Sequence, residues 1–148
     1  MSNGKDNNIN LTILNEISKA AKTGRDDVDY VLDKVGDETM RQSLSSEYEE
    51  YNKIVQRVNN EFDKYGETPD DQPMMTKMMG WTGVQLNTLT DKSNSHIAEI
   101  IIQGNDMGIV KCQKLLNHNP KADESVKNIL TDFITMQQHN IEKMKTFL

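Results

Sequence analysis

The sequence predicts an all-α fold in which four long helices form two antiparallel hairpins. Apolar residues recur at spacings of three and four in four long segments, as one buried face of a helix requires. Short breaks at Gly36 and Pro120 divide these segments into two pairs, and a long connector, residues 66–94, joins the pairs. The chain has 148 residues, of which 35% are hydrophobic and 27% charged. This balance is typical of one folded domain, which we place at 9–148.

The first helix is predicted over 10–35, after a polar tail over 1–8 that we expect to be disordered. Asn10 is a plausible N-cap, and Gly36 suits the position just past a helix end. Its apolar or small positions are Leu14, Ile17, Ala21, Gly24, Val28, Val31 and Val35.

The second helix is predicted over 37–65, with Asp37 as its N-cap and Gly66 as its end. Its predicted buried positions are Leu44, Tyr48, Tyr51, Val55, Val58, Phe62 and Tyr65. Pro69 and Pro73 interrupt the connector that follows, so we expect a loop and then a shorter crossover helix over 73–90.

The third and fourth helices are predicted over 95–117 and 123–147, with Pro120 between them. The buried positions of the fourth are Val126, Leu130, Phe133, Gln137, Asn140, Met144 and Phe147. Gly104 and Gly108 share one face of the third helix, which predicts that another segment packs closely there, with a local bulge or a ligand pocket as the alternative. Cys112, on the same helix, is predicted to be a packed and unreactive thiol.

Residues 90–109, and more weakly 23–30, resemble the small ferritin-like bundle proteins of bacteria, in particular a group of uncharacterised function. The resemblance implies a ferritin-like four-helix bundle with a long, partly helical crossover between the second and third helices. It implies no activity for this chain.

Ferritin-like bundles that bind two iron ions converge glutamates and Glu-x-x-His pairs at mid-bundle. The equivalent levels here offer Ala21 and Gly24 on the first helix and amides or phenols on the other three. The sequence therefore predicts a buried polar layer in place of a metal site, formed by Tyr48, Tyr51, Gln103, Gln137 and Asn140. The acidic runs around Asp27 and Glu47 are interpreted as solvated faces.

A different metal site is the alternative. His96 with Glu99 and His139 with Glu142 are both His-x-x-Glu pairs at helical i, i+3 spacing. Two imidazoles and two carboxylates could hold iron, manganese or zinc. No cofactor is predicted otherwise.

Charge and motifs limit the function. A net charge of −6 and the absence of a Lys/Arg cluster argue against nucleic acid, and no apolar run suits a membrane. The single cysteine and the polar N-terminal residues favour a cytoplasmic location. No catalytic motif is present, so we expect a non-enzymatic structural or protein-binding protein, with a metal-binding or metal-dependent redox protein as the alternative. A homodimer is expected, and the Met74–Met79 face is a candidate site for a partner helix.

Overall fold

The computed structural model of the chain describes residues 4–70 and 80–148. These residues form five α-helices and no strand, which confirms the all-α prediction. The helices are α1 (Gly4–Leu32), α2 (Glu38–Lys64), α3 (Trp81–Asn87), α4 (Asn94–His118) and α5 (Glu124–Lys145).

Two helix starts have side-chain caps. The predicted cap Asp37 accepts a hydrogen bond from the Met40 amide at 2.8 Å, and α2 begins at the next residue. Ser93 caps α4 in the same way through the amide of His96, at 3.2 Å. Each oxygen satisfies one amide that a helix start leaves without a partner.

The start of α1 differs from the prediction. The helix begins at Gly4, so residues 4–8 of the predicted tail are helical and Asn10 lies inside the helix. Asn10 is fully buried, and its Oδ1 atom accepts a hydrogen bond from the Asp123 amide, at 2.8 Å, at the start of α5. We predicted Asn10 as a cap for its own helix, but its side chain bonds the start of another helix.

The predicted crossover helix can be compared with the structure over residues 80–90 only. Of the range 73–90, the described part forms α3 over Trp81–Asn87, and residues 71–79 lie outside the described part. Before that gap, the Asp70 amide donates to Asn15 Oδ1 at 3.0 Å, which brings the start of the connector against α1.

The long helices pair in sequence order, α1 with α2 and α4 with α5. Between α2 and α5, the Arg57 guanidinium contacts Asp132 at 2.7 Å and Ser125 donates to Glu61 at 3.0 Å. These pairs show that α2 and α5 are antiparallel, because the residue number rises along one helix as it falls along the other. Since α4 and α5 also form an antiparallel hairpin, α2 and α4 run in the same direction. The end of α2 and the start of α4 therefore lie at opposite ends of the long helices.

The core lies between the four long helices. The largest side chains with less than 2% exposure come from all five helices; they include Leu14, Ile17, Leu44, Phe62, Leu86, Ile97, Leu130 and Phe133. Burial of such side chains is the main favourable contribution to folding. In the described ranges, none of the helices combines the length and the apolar character needed to cross a membrane.

Candidate functional site

Polar side chains from four helices meet inside the core near the middle of the long helices. We call this group the interior polar cluster; it consists of Asp27, Glu47, Tyr51, Asn105, Gln137 and Asn140. Every member is at least nine-tenths buried. Polar groups this deep in a core require partners, so each contact bears on what the cluster can do.

Tyr51 is at the centre of the cluster. Its hydroxyl donates to Asn105 Oδ1 at 3.1 Å, and its ring meets Phe133 edge to face at 6.1 Å between centroids. Asn140 lies beside the hydroxyl without hydrogen-bond geometry. Burial, together with the nearby carboxyls of Glu47 and Asp27, raises the pKa of Tyr51 well above its usual value, so the phenol stays protonated and acts as a donor.

Three glycines allow the neighbouring side chains to fit. A Cβ atom at Gly24 would lie 2.5 Å from Tyr51 Cζ, and one at Gly108 would lie 1.9 Å from Gln137 Oε1. A Cβ atom at Gly104 would lie 2.5 Å from the Thr82 hydroxyl of α3. The predicted close packing at Gly104 and Gly108 is confirmed.

Most of the amide groups in the cluster bond locally. Asn105 Nδ2 donates to the Ile101 carbonyl at 2.9 Å, and Gln137 Nε2 donates to the Phe133 carbonyl at 3.2 Å. Asn140 differs, because neither its amide nitrogen nor its oxygen has a hydrogen-bond partner among the described residues. An unpaired buried group of this kind costs about 1 to 3 kcal/mol.

Glu47 is the most deeply buried carboxyl. It is 0% exposed, and neither oxygen has a hydrogen-bond partner in the described part of the chain. Burial raises the pKa of this group to about 8, against the opposing effect of nearby Lys143. Glu47 is therefore mostly protonated at neutral pH.

Asp27 is the second buried carboxyl, at 5% exposure. Burial, with a smaller contribution from Asp26, raises its pKa to about 7. No hydrogen bond to this carboxyl forms within the described residues. Unlike Glu47, Asp27 lines an open space.

That space is a cleft of about 280 Å³ between α1, α3 and α4, which we call the interior cleft. Its walls include Ala20, Val28, Ile101 and Met107, and Lys19 and Lys111 also line it. Glu16 pairs with both lysines, at 3.9 Å from Lys19 Nζ and 2.7 Å from Lys111 Nζ. A mostly apolar cleft with one unpartnered carboxyl has the general character of a small-ligand site.

The predicted polar layer and the interior polar cluster share only three residues. Tyr51, Gln137 and Asn140 are buried, Tyr48 is half-buried, and Gln103 is exposed. Gln103 points outward because Ile101, two residues earlier, faces the core, and two residues turn a helix by about 200°. The buried amide of α4 is Asn105.

The interpretation of both acidic runs as solvated faces is wrong for Asp27 and Glu47. A signal for Glu47 was available in the sequence, because the series Met40, Leu44, Glu47, Tyr51, Ile54 and Val58 keeps an alternating spacing of four and three. All six residues are buried.

The four residues of the predicted metal site do not converge. His96 Nδ1 lies 4.0 Å from Glu99 Oε2, whereas His139 is exposed and Glu142 pairs with Lys145 at 2.8 Å. Among the residues that the structure describes, no three His, Cys, Asp or Glu side chains are grouped as metal ligands would be. The residues present therefore fit neither this site nor a mid-bundle di-iron centre.

Cys112 is buried, and burial raises its pKa to about 11. A thiol with a raised pKa carries little thiolate and is a poor nucleophile, which agrees with the predicted inert role. The Met74–Met79 face lies outside the described residues.

The outer surface of α4 carries an apolar stripe. We call it the α4 stripe; its residues are Met107, Val110, Lys111, Lys114, Leu115 and His118. They follow the i, i+3, i+4 spacing of one helix face and line a shallow groove of about 680 Å³. Met107 is 52% exposed and Val110 53% exposed.

Comparison with known proteins gives a likeness in fold. No family model matches the sequence, and no curated protein matches it. Among solved structures, the chain is similar to the crystal structure of a DUF305 fragment from Deinococcus radiodurans, with a TM-score of 0.72 and 13% sequence identity over 93% of each chain. At this identity, the likeness supports a shared helical fold and carries no function.

Proposed function

We propose that this chain is a ferritin-like four-helix bundle that works as a non-enzymatic, self-associating structural protein. The directions of the helices support the fold: two antiparallel hairpins and a connector between the parallel helices α2 and α4. This is the arrangement of ferritin-like bundles with one long crossover.

The exposed apolar residues of the α4 stripe carry the proposal. Met107 and Val110 are both about half exposed and lie one turn apart on the same face of α4. Contiguous apolar surface on a folded chain is removed from water when a partner covers it. Lys111 and Lys114 of the stripe and neighbouring Asp106 surround these apolar residues, as charged residues do at the rim of many protein interfaces.

The partner is a second copy of this chain, because the charges along the stripe are self-complementary. Asp106 lies four residues before Val110, and Lys114 lies four residues after it. Two α4 helices packed antiparallel about a two-fold axis at Val110 bring Asp106 of each copy level with Lys114 of the other. In such an isologous contact, each favourable pair forms twice. Neither residue forms an ion pair within the described ranges. Asp106 lies close enough to Lys145 of its own chain to help raise the pKa of that ammonium, but Lys145 pairs with Glu142, at 2.8 Å.

The test is the oligomeric state of Val110→Glu, measured by sedimentation velocity against the wild type. We expect the wild type to be a dimer and Val110→Glu a monomer, because two carboxylates would meet at the two-fold axis. Val84→Glu is the matched control, since Val84 is 45% exposed but lies on α3, outside the stripe. A monomeric wild type, or a dimer that survives Val110→Glu, contradicts the proposal.

A metal-binding protein is the second candidate, and it rests on the His96 and Glu99 pair alone, whose Nδ1 and Oε2 atoms lie 4.0 Å apart. Elemental mass spectrometry of protein expressed with iron, manganese and zinc, without a histidine tag, tests this candidate. Metal near one ion per chain that disappears in His96→Ala and persists in His139→Ala would favour it. Metal below one ion per ten chains would reject it.

A further inference from the structure

Among the buried polar side chains that line the interior cleft, the Asp27 carboxyl is the one without a partner in the described residues. It is 5% exposed, lies in the wall of the cleft, and receives no hydrogen bond within the described residues. The other buried polar side chains that line the cleft differ, because Asn105, Tyr51 and Gln137 bond one another or the backbone. One carboxyl in the wall is thus left to bond a ligand.

We propose that the interior cleft binds a small organic monocation, a primary amine with an apolar body, whose ammonium group donates to the Asp27 carboxylate. The apolar body would lie against Ala20, Val28, Ile101 and Met107. At about 280 Å³, the cleft has the volume of roughly nine waters, which suits a short alkyl or aromatic group.

The charge of the ligand follows from the groups that face the cleft. Asp27 supplies one negative charge, while neighbouring Asp26 is engaged by Arg25, at 3.4 Å, and Glu16 by Lys19 and Lys111. Glu47, beyond Tyr51, is mostly protonated at neutral pH and adds little charge. Lys19 and Lys111 carry one charge more than Glu16 offsets, so the cleft with ionised Asp27 has no net charge, and the ammonium is specified by its hydrogen bond to Asp27 rather than by net charge. Neither lysine is among the groups that shift the pKa of Asp27, so neither competes for that carboxylate. A divalent cation would need several free oxygen ligands, and the amide oxygen of Asn105 is already occupied by the Tyr51 hydroxyl.

Protonation of the Asp27 carboxylate competes with binding of the amine. The pKa of this group is raised to about 7 by burial, so the carboxyl is largely neutral at pH 6 and largely ionised at pH 8. An alkylamine keeps its charge over this range. Binding of an amine should therefore strengthen about tenfold from pH 6 to pH 8, whereas binding of a neutral ligand should hardly change.

The experiment compares n-hexylamine with n-hexanol, which has the same apolar body and no charge. Each is titrated into the ¹⁵N-labelled full chain at pH 6 and pH 8, and dissociation constants are taken from the amide shifts of Gly24, Gly104 and Gly108. We expect n-hexylamine to bind at least tenfold more tightly than n-hexanol at pH 8. Asp27→Asn should abolish that preference, and Asp26→Asn should retain it.

Several results would overturn the proposal. Equal affinity for the amine and the alcohol would show that Asp27 takes no part, and so would an amine preference that survives in Asp27→Asn. Shifts confined to residues away from the cleft, or none with either probe, would show that the cleft is not the site. Magnesium chloride that shifts the same amides and displaces n-hexylamine would assign the cleft to a divalent cation. The comparison of probes and pH values in the wild type decides the matter even where a variant fails to fold.

Discussion

Gly24 lies where the Tyr51 ring crosses α1, and the fit leaves no room for a side chain. Gly24→Leu should lower the free energy of unfolding by about 1 to 3 kcal/mol, the usual cost of overpacking a core. Leucine is the better helix former, but Tyr51 is held by Asn105 and Phe133 and cannot easily yield. Urea denaturation measures the change. Gly36→Leu is the control, because a Cβ atom there meets nothing within 4 Å; equal effects of the two variants would refute the packing account.

Glu47 makes stability depend on pH. Its pKa is about 8 in the folded chain and near its ordinary value of 4.5 in the unfolded chain, so folding favours the protonated form. This contribution is fully present below pH 4.5 and is lost as pH rises toward 8. Asp27, with its pKa raised to about 7, acts in the same direction.

We therefore expect the free energy of unfolding to decrease from pH 5 to pH 8, and Glu47→Gln to reduce that decrease. Urea denaturation at both pH values measures the slope. Exposed Glu49, two residues away, provides the control Glu49→Gln, which should leave the slope unchanged. An identical slope in wild type and Glu47→Gln would mean that Glu47 titrates normally.

Burial of individual polar residues could be predicted only in part. Tyr51, Gln137 and Asn140 lie on apolar spacings, and the sequence predicts their burial. Glu47 has an equally regular spacing. Because a carboxyl is rarely buried without a partner, we nevertheless predicted a solvated position for it. Gln103 and Asn105 are two residues apart, and the side chain that faces the core depends on the rotation of α4 against its neighbours.

At the scale of elements, the start of α5 is held by two other helices. The Asp123 amide donates to Asn10 of α1, and the Asp123 carboxylate accepts a hydrogen bond from the Tyr65 hydroxyl at the end of α2. The Asp123 side chain forms no cap bond to its own helix. Asn10 thus ties together segments that are far apart in sequence.

Asn10→Ala should destabilise the chain by about 1 to 3 kcal/mol, because it leaves the Asp123 amide without its acceptor. Hydrogen exchange should also speed up at that amide more than at the centre of α5. Asn8→Ala, at an exposed position of the same helix, is the control. Unchanged exchange at Asp123 would contradict this role of Asn10.

The spacing of apolar residues and the turn residues Gly36 and Pro120 were sufficient to predict the four long helices. The start of α1 was less predictable, because asparagine suits both an N-cap and a buried amide that bonds across the core. Only the position of Asp123 in three dimensions distinguishes these two roles.

At the scale of the whole molecule, the helix directions follow from chain length and turns. Two short turns force two hairpins, and a connector as long as residues 66–94 permits α2 and α4 to run in parallel. The outward face of α4 could not be predicted in this way, since an apolar stripe in the sequence can face either the core or a partner. The structure resolves the ambiguity for Met107 and Val110, which are exposed in the single chain.

The most direct test of self-association is charge exchange across the proposed two-fold axis, followed by sedimentation equilibrium. Asp106→Lys and Lys114→Asp should each weaken the dimer, since each places like charges opposite one another. The double variant should restore a mass of twice the 16.9 kDa chain, because it re-forms both pairs with their signs reversed. A double variant that dimerises no better than either single variant, or a wild type of 16.9 kDa at all concentrations, would contradict the account.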